Sequence, residues 1–134
     1  MSDSFRLALE LDGSGSSPIS VIAKLPSRNE MSRSTARTLR SYENEVRFYK
    51  ELATELPVRT PLAYYADIDI ESSSFVLLLE DLAPARTGDQ LVGCEPEEAS
   101  LAVYELVKLH APRWDDPALA DLEWLCLLYT SRCV

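Results

Sequence analysis

One histidine, three cysteines and only 13 basic residues against 22 acidic ones are the scarcities of this 134-residue chain. Each removes a class of function. A net charge of -9 and a pI near 4.5 leave no clustered Lys and Arg to displace counterions from nucleic acid or to meet anionic headgroups. A small phosphate site is the one anion-binding option that survives. No apolar run approaches the roughly 18 residues of a membrane span, and the opening MSDSFRLALELDG has no basic region followed by an apolar one. The expectation is a soluble cytoplasmic protein that binds neither nucleic acid nor membrane. Cys94, Cys126 and Cys133 are an odd count without C-x-x-C spacing, so neither a disulfide framework nor a zinc site is indicated. The last nine residues, CLLYTSRCV, carry no functional weight. Residues 126–131 are one reading frame of a sequence resembling the mosaic-end adaptor of transposase-made sequencing libraries, and the native sequence is expected to stop near Leu125.

The remaining residues, 46% of the chain being hydrophobic, are enough for one core. Phe5, Leu7, Leu9 and Leu11 alternate with Arg6, Ala8, Glu10 and Asp12, the period of a half-buried strand. The stretch DGSGSSP supplies a turn, and residues 19–25 return as a second strand, giving an antiparallel hairpin. Its glycines lack the G-K-[ST] ending of a phosphate loop. Residues 26–40, rich in Ser, Thr and Arg, read as a mobile connection or frayed helix start with solvated arginines. From Ser41, Glu45, Phe48, Tyr49, Leu52 and Leu56 fall at helical spacing until Pro57. Two more strands follow, one with Leu62, Tyr64, Ala66 and Ile68 on a shared face, the other the apolar run of SFVLLLEDL, typical of burial on both sides. After a turn-rich linker, Pro96 with Glu97 and Glu98 opens a second helix whose stripe is Ala99, Ala102, Val103, Leu106 and His110. His110 reads as a structural histidine, since no nucleophile or orienting partner lies nearby, and the paired aspartates Asp67 and Asp69, which could in principle hold Mg²⁺, read as a solvated turn.

Lys24 is the anomaly in this pattern. It lies mid-strand on the face of Ser20 and Ile22, where a buried ammonium is costly unless it meets an anion. At about 100° per residue, Glu45 sits in the centre of the Phe48, Tyr49, Leu52 stripe, whereas Glu43 lies roughly 160° away and is expected to face water. A strand lysine and a carboxylate centred on the core-facing stripe of the next helix explain each other as an ion pair. A lysine snorkelling from an edge strand and a surface glutamate are the plainer explanations of each taken singly.

The segments SVIAKLPS, YENEVRFYKEL, FVLLLEDLAPARTGDQLVG and PEEASLAVYELVKLHAPRW together resemble the N-terminal lobe and first C-lobe helix of the ecdysteroid-kinase-like, CHK-type phosphotransferases. These are relatives of aminoglycoside phosphotransferases and choline kinases within the protein-kinase-like fold. The similarity runs from Phe5 to Leu125. It implies an α+β fold: a kinase-like N-lobe over residues 1–79, a hinge and linker over 80–95, and the start of a helical C-lobe over 96–125, with 126–134 as the non-native tail. It also implies that Lys24 contacts the α- and β-phosphates of ATP and that Glu45 holds it there. Ile22 would pack on the adenine, and Leu79, Glu80, Asp81 and Leu82 would form the hinge that bonds adenine through backbone groups. Those bonds need no particular side chain, so Glu80 and Asp81 could instead serve local capping.

The implied partners are ATP and a hydroxylated small molecule, with Mg²⁺ expected in a complete parent protein. The family's H-G-D catalytic loop with its following Asn, its later metal-binding Asp and the glycine-containing turn before SDSFRL have no counterpart in these residues. The chain is therefore expected to hold about half of an ATP site, and by itself no kinase activity. A non-catalytic α+β binding or interaction domain, with Lys24 and Glu45 merely stapling helix to sheet, is the competing expectation. The acceptor is not legible, and choline-like, aminoglycoside-like and steroid-like molecules all fit.

Overall fold

The computed structural model describes residues 2–10, 19–89 and 91–125. The Gly-Ser turn and the CLLYTSRCV tail, with Cys126 and Cys133, lie outside these. Strands β1 (Ser2–Leu9) and β2 (Ile19–Pro26) lead to helices α1 (Glu30–Thr38) and α2 (Ser41–Arg47), which continues as a π-helical turn over Phe48–Leu52. Strands β3 (Ala63–Asp69) and β4 (Ser74–Glu80) follow, then α3 (Pro96–His110) and two short 3-10 turns. All strand pairings are antiparallel, in the order β1-β2-β4-β3. The fold is α+β, of the kind found in a kinase-like N-lobe.

Opposed residues of an antiparallel ladder project on the same side, so the register assigns the two faces. Ile22, Phe75, Leu77 and Leu79 turn toward the helices. There they join Ala36 of α1 and Tyr42 and Val46 of α2 in the main core, in which Val46 and Leu77 are fully buried. The Tyr42 and Phe75 rings stack at 4.5 Å. A second cluster forms at the end of the π-helical turn, where Leu52 and Leu56 bury Trp124. Phe48 packs on that cluster and Tyr49 on the first, and the two rings meet edge-to-face at 5.4 Å.

Five expectations change. Residues 30–38 are a helix, because Asn29 caps its start by accepting from the Ser32 amide at 3.0 Å. The α2 helix ends at Leu52 rather than at Pro57, and Leu56 reaches the second cluster from the turn beyond. In β3 an irregularity between Ala63 and Tyr65 shifts the phase, so Ala63, Ala66 and Ile68 face the core while Leu62 and Tyr64 are exposed. Strand β4 buries Phe75, Leu77 and Leu79 but leaves Val76 and Leu78 half-buried, because the helices cover one face of the sheet only. The α3 stripe is exposed along its whole length, since among the described residues no element lies on it; Leu109 alone of α3 packs, on the second cluster. His110 is accordingly exposed, at the rim of a groove of about 1020 Å³ that Leu52, Leu56 and Trp114 also line.

Candidate functional site

Strand alternation sets Lys24 on the helix-covered face, two residues beyond Ile22 and opposite Leu77. A lysine there without an anion would forfeit its hydration. Helix α2 meets the need: Lys24 Nζ donates to Glu45 Oε1 across the sheet–helix interface. Neither group is sealed. The side chains keep 22% and 30% of their exposure. Tyr49, one turn along from Glu45, is half-buried on the core, and burial, followed by the Glu45 charge, pushes its hydroxyl pKa up.

Glu43 does not face water. It is 8% exposed and takes both forks of the Arg40 guanidinium at 2.9 Å, with Arg47 at 3.2 Å. The bond from Arg40 holds its carboxyl below the usual range, burial opposing. Arg40 can double back because it stands in the left-handed region, φ 50°, at the α1–α2 corner. The helical angle correctly separated Glu43 from Glu45, but Glu43 points to a neighbouring guanidinium instead of to solvent.

At the other end of β2, the residues leaving β4 are tied down by their own side chains. Asp81 accepts from the Ser20 hydroxyl at 2.7 Å, from Arg6 Nε at 2.7 Å and Nη2 at 3.1 Å, and from the Ala83 amide at 3.1 Å. Its side chain is 6% exposed, and the Ser20 hydroxyl, then the Ala83 amide, then Arg6 hold its pKa down. Glu80 takes the Arg59 fork at 2.9 and 3.0 Å and the Leu62 amide at 3.0 Å, and Arg59 depresses its pKa in turn. Among the linker backbone groups, the Glu80 amide donates to Leu62 and the Leu82 carbonyl accepts from Ala85. Leu79 is buried in the main core, Ile22 is half-buried against it, and Leu82 is 41% exposed.

The structure thus unites Lys24 with Glu45, places Ile22 and Leu79 beside them on one face, and sets Glu80, Asp81 and Leu82 at the far end of the same strands. Sequence reasoning missed Arg6, Ser20 and Arg59 as partners of the linker carboxylates. The β1–β2 register would have exposed Arg6, since it pairs with Ile22. The two aspartates of DID do not converge: Asp69 caps its own turn through Glu71 and Ser72, and Asp67 meets Lys50 at 3.6 Å. Among the described residues no three His, Cys, Asp or Glu side chains group as metal ligands, and no helix is long and apolar enough to cross a membrane. Cys94 is a free, exposed thiol.

No curated protein and no solved structure matches the chain in comparison. A family model does, over residues 1–112, which takes in the whole sheet, the Lys24–Glu45 pair, the linker and α3. The chain belongs to the ecdysteroid kinase-like family.

Proposed function

We propose that these residues form the nucleotide-binding part of a small-molecule phosphotransferase, one that passes the γ-phosphate of ATP to a hydroxyl group. The observation that carries this reading is the Lys24–Glu45 pair, with its ammonium partly open on the helix-covered face of a central strand. In phosphoryl transfer the protein contributes mainly positioning and charge neutralisation. An ammonium held by a carboxylate suits that work: the partner fixes its place, and its remaining N–H groups can meet phosphate oxygens.

On this reading Lys24 holds the α- and β-phosphates and Glu45 holds Lys24. Ile22 offers the adenine whatever surface the core leaves uncovered. Leu79 to Leu82 form the hinge, with the Glu80 and Asp81 side chains committed to bracing it, so contacts to the base fall to backbone groups the bracing leaves over. Residues 1–79 are then the N-lobe, 80–95 the hinge and linker, and 96–125 the start of the helical lobe. ATP brings the transferable phosphoryl group, and Mg²⁺ is the ion expected to accompany it. The cytoplasm is the compartment this reading implies.

Calorimetric titration of the chain with ATP tests the proposal. Saturable binding is expected, weakened about tenfold or more in Lys24→Ala, the loss expected when a charged hydrogen-bond donor is removed. Absent binding, or equal affinity in the variant, would refute it. A pair that only staples α2 to the sheet would lower the unfolding midpoint of the variant and leave ATP affinity alone.

A further inference from the structure

Arg6 projects from β1 on the same face as Lys24 and Ile22, because it pairs with Ile22 in the β1–β2 ladder. Its guanidinium ends on Asp81, just beyond β4. In the order β1-β2-β4-β3, a β1 side chain that meets a group beyond β4 must cross β2. The crossing spans two strand spacings, about 10 Å, and Ser20, which shares the Asp81 carboxylate, marks its level. The arm therefore lies over β2 at Ser20 and Ile22, two residues from Lys24.

Among the described residues, the guanidinium is held there along one edge. Nε and Nη2 both bond Asp81, whose carboxylate is itself fixed by Ser20 and the Ala83 amide. The Arg6 side chain nevertheless keeps 62% of its exposure, which leaves it accessible to a ligand. A planar cation whose edge is bonded and whose face is free is the arrangement that stacks on aromatic rings, which a lysine cannot reproduce.

We infer that Arg6 stacks on the nucleotide base, its guanidinium forming with Ile22 the shelf on which the adenine ring lies. This rests on the proposed contact of ATP phosphates with Lys24. A nucleotide anchored there and running toward the linker carries its base over Ile22 and the Arg6 arm. Asp81 then acts as a positioning residue, through its side chain, by fixing the plane of the guanidinium.

The test compares ATP with inorganic tripolyphosphate, which has the phosphates and no base, on the intact chain and on Arg6→Lys. Lysine keeps the charge and loses the plane. Arg6→Lys is expected to weaken ATP about three- to tenfold while tripolyphosphate affinity stays at the wild-type value. Arg6→Leu, with its unfolding midpoint measured in parallel, should lose the same preference for ATP over tripolyphosphate. Equal weakening of both ligands in Arg6→Lys would mean that Arg6 acts through charge, and no change in either that it does not meet the nucleotide; both overturn the inference and leave the Lys24 reading standing. Failure of the unaltered chain to bind ATP would overturn that reading and the inference with it.

Discussion

At the scale of single residues, carboxylates decide much of this structure. Glu43, Glu80 and Asp81 are each held by arginine, and each has a pKa below its ordinary value. For Glu43 the sign of the pH effect follows directly. A depressed folded-state pKa means that the unfolded chain binds protons more readily, so the stabilisation is complete above the unfolded value of about 4.3 and is lost as pH falls from there through the lower folded-state pKa. The difference in urea stability between the unaltered chain and Glu43→Gln should therefore be largest near neutral pH and shrink between pH 5 and the folded-state pKa. A gap that held constant into acid would mean that Arg40 contributes through packing alone. Glu45 was legible from the sequence where Glu43 was not, because helical phase locates a side chain on a face but says nothing of an arginine folding back from a left-handed corner. Arg6 escaped for the converse reason. Alternation suggests that Phe5, Leu7 and Leu9 seek the core, yet they lie on the open face, 37%, 41% and 36% exposed, and the polar set faces the helices.

Among the elements, α1 shows most clearly how a polar segment becomes ordered. Its residues have little to bury beyond Ala36, so the helix depends on its start, where Asn29 caps the Ser32 amide, and on Ala36 seated in the main core. Replacing Asn29 by Ala should cost about 1 kcal/mol, the usual worth of such a cap, read as a lower urea midpoint with unchanged slope. A neutral result would leave Ala36 as the element's main anchor. Strand and helix positions were otherwise largely readable: the two hairpins, the helix from Ser41 and the helix from Pro96 all follow from apolar period and turn chemistry. The α1 helix was missed because capping is a local bond that leaves no periodic trace. The first half of the β3 face was misassigned because the irregularity between Ala63 and Tyr65 puts Leu62 and Tyr64 out of phase with Ala66 and Ile68, which do face the core. The α3 stripe was correctly read as apolar, but period alone cannot say whether anything packs on it.

At the scale of the whole molecule, the described residues form two buried clusters that share no member. The first lies between sheet and α1–α2 and contains the neighbours of Lys24; the second joins the end of the π-helical turn to the residues after α3. They touch through the Phe48–Tyr49 ring contact. Two polar ties reinforce the second: the Trp124 indole donates to Glu51 at 2.6 Å, and Arg113 pairs with Glu55. Trp124 is 4% exposed and is the largest residue there, so Trp124→Ala should remove about 3–5 kcal/mol from that cluster. If the cores open separately, hydrogen exchange in the variant will accelerate at amides 96–125 and around Leu52 and Leu56, while β2 and β4 keep their protection. On the proposed reading ATP affinity would then survive, since Lys24, Glu45 and Arg6 all belong to the sheet side. Uniform acceleration across β2 and β4 would instead mean that the Phe48–Tyr49 contact welds the cores into one cooperative unit, so that packing beyond α3 governs the placement of Glu45 against Lys24.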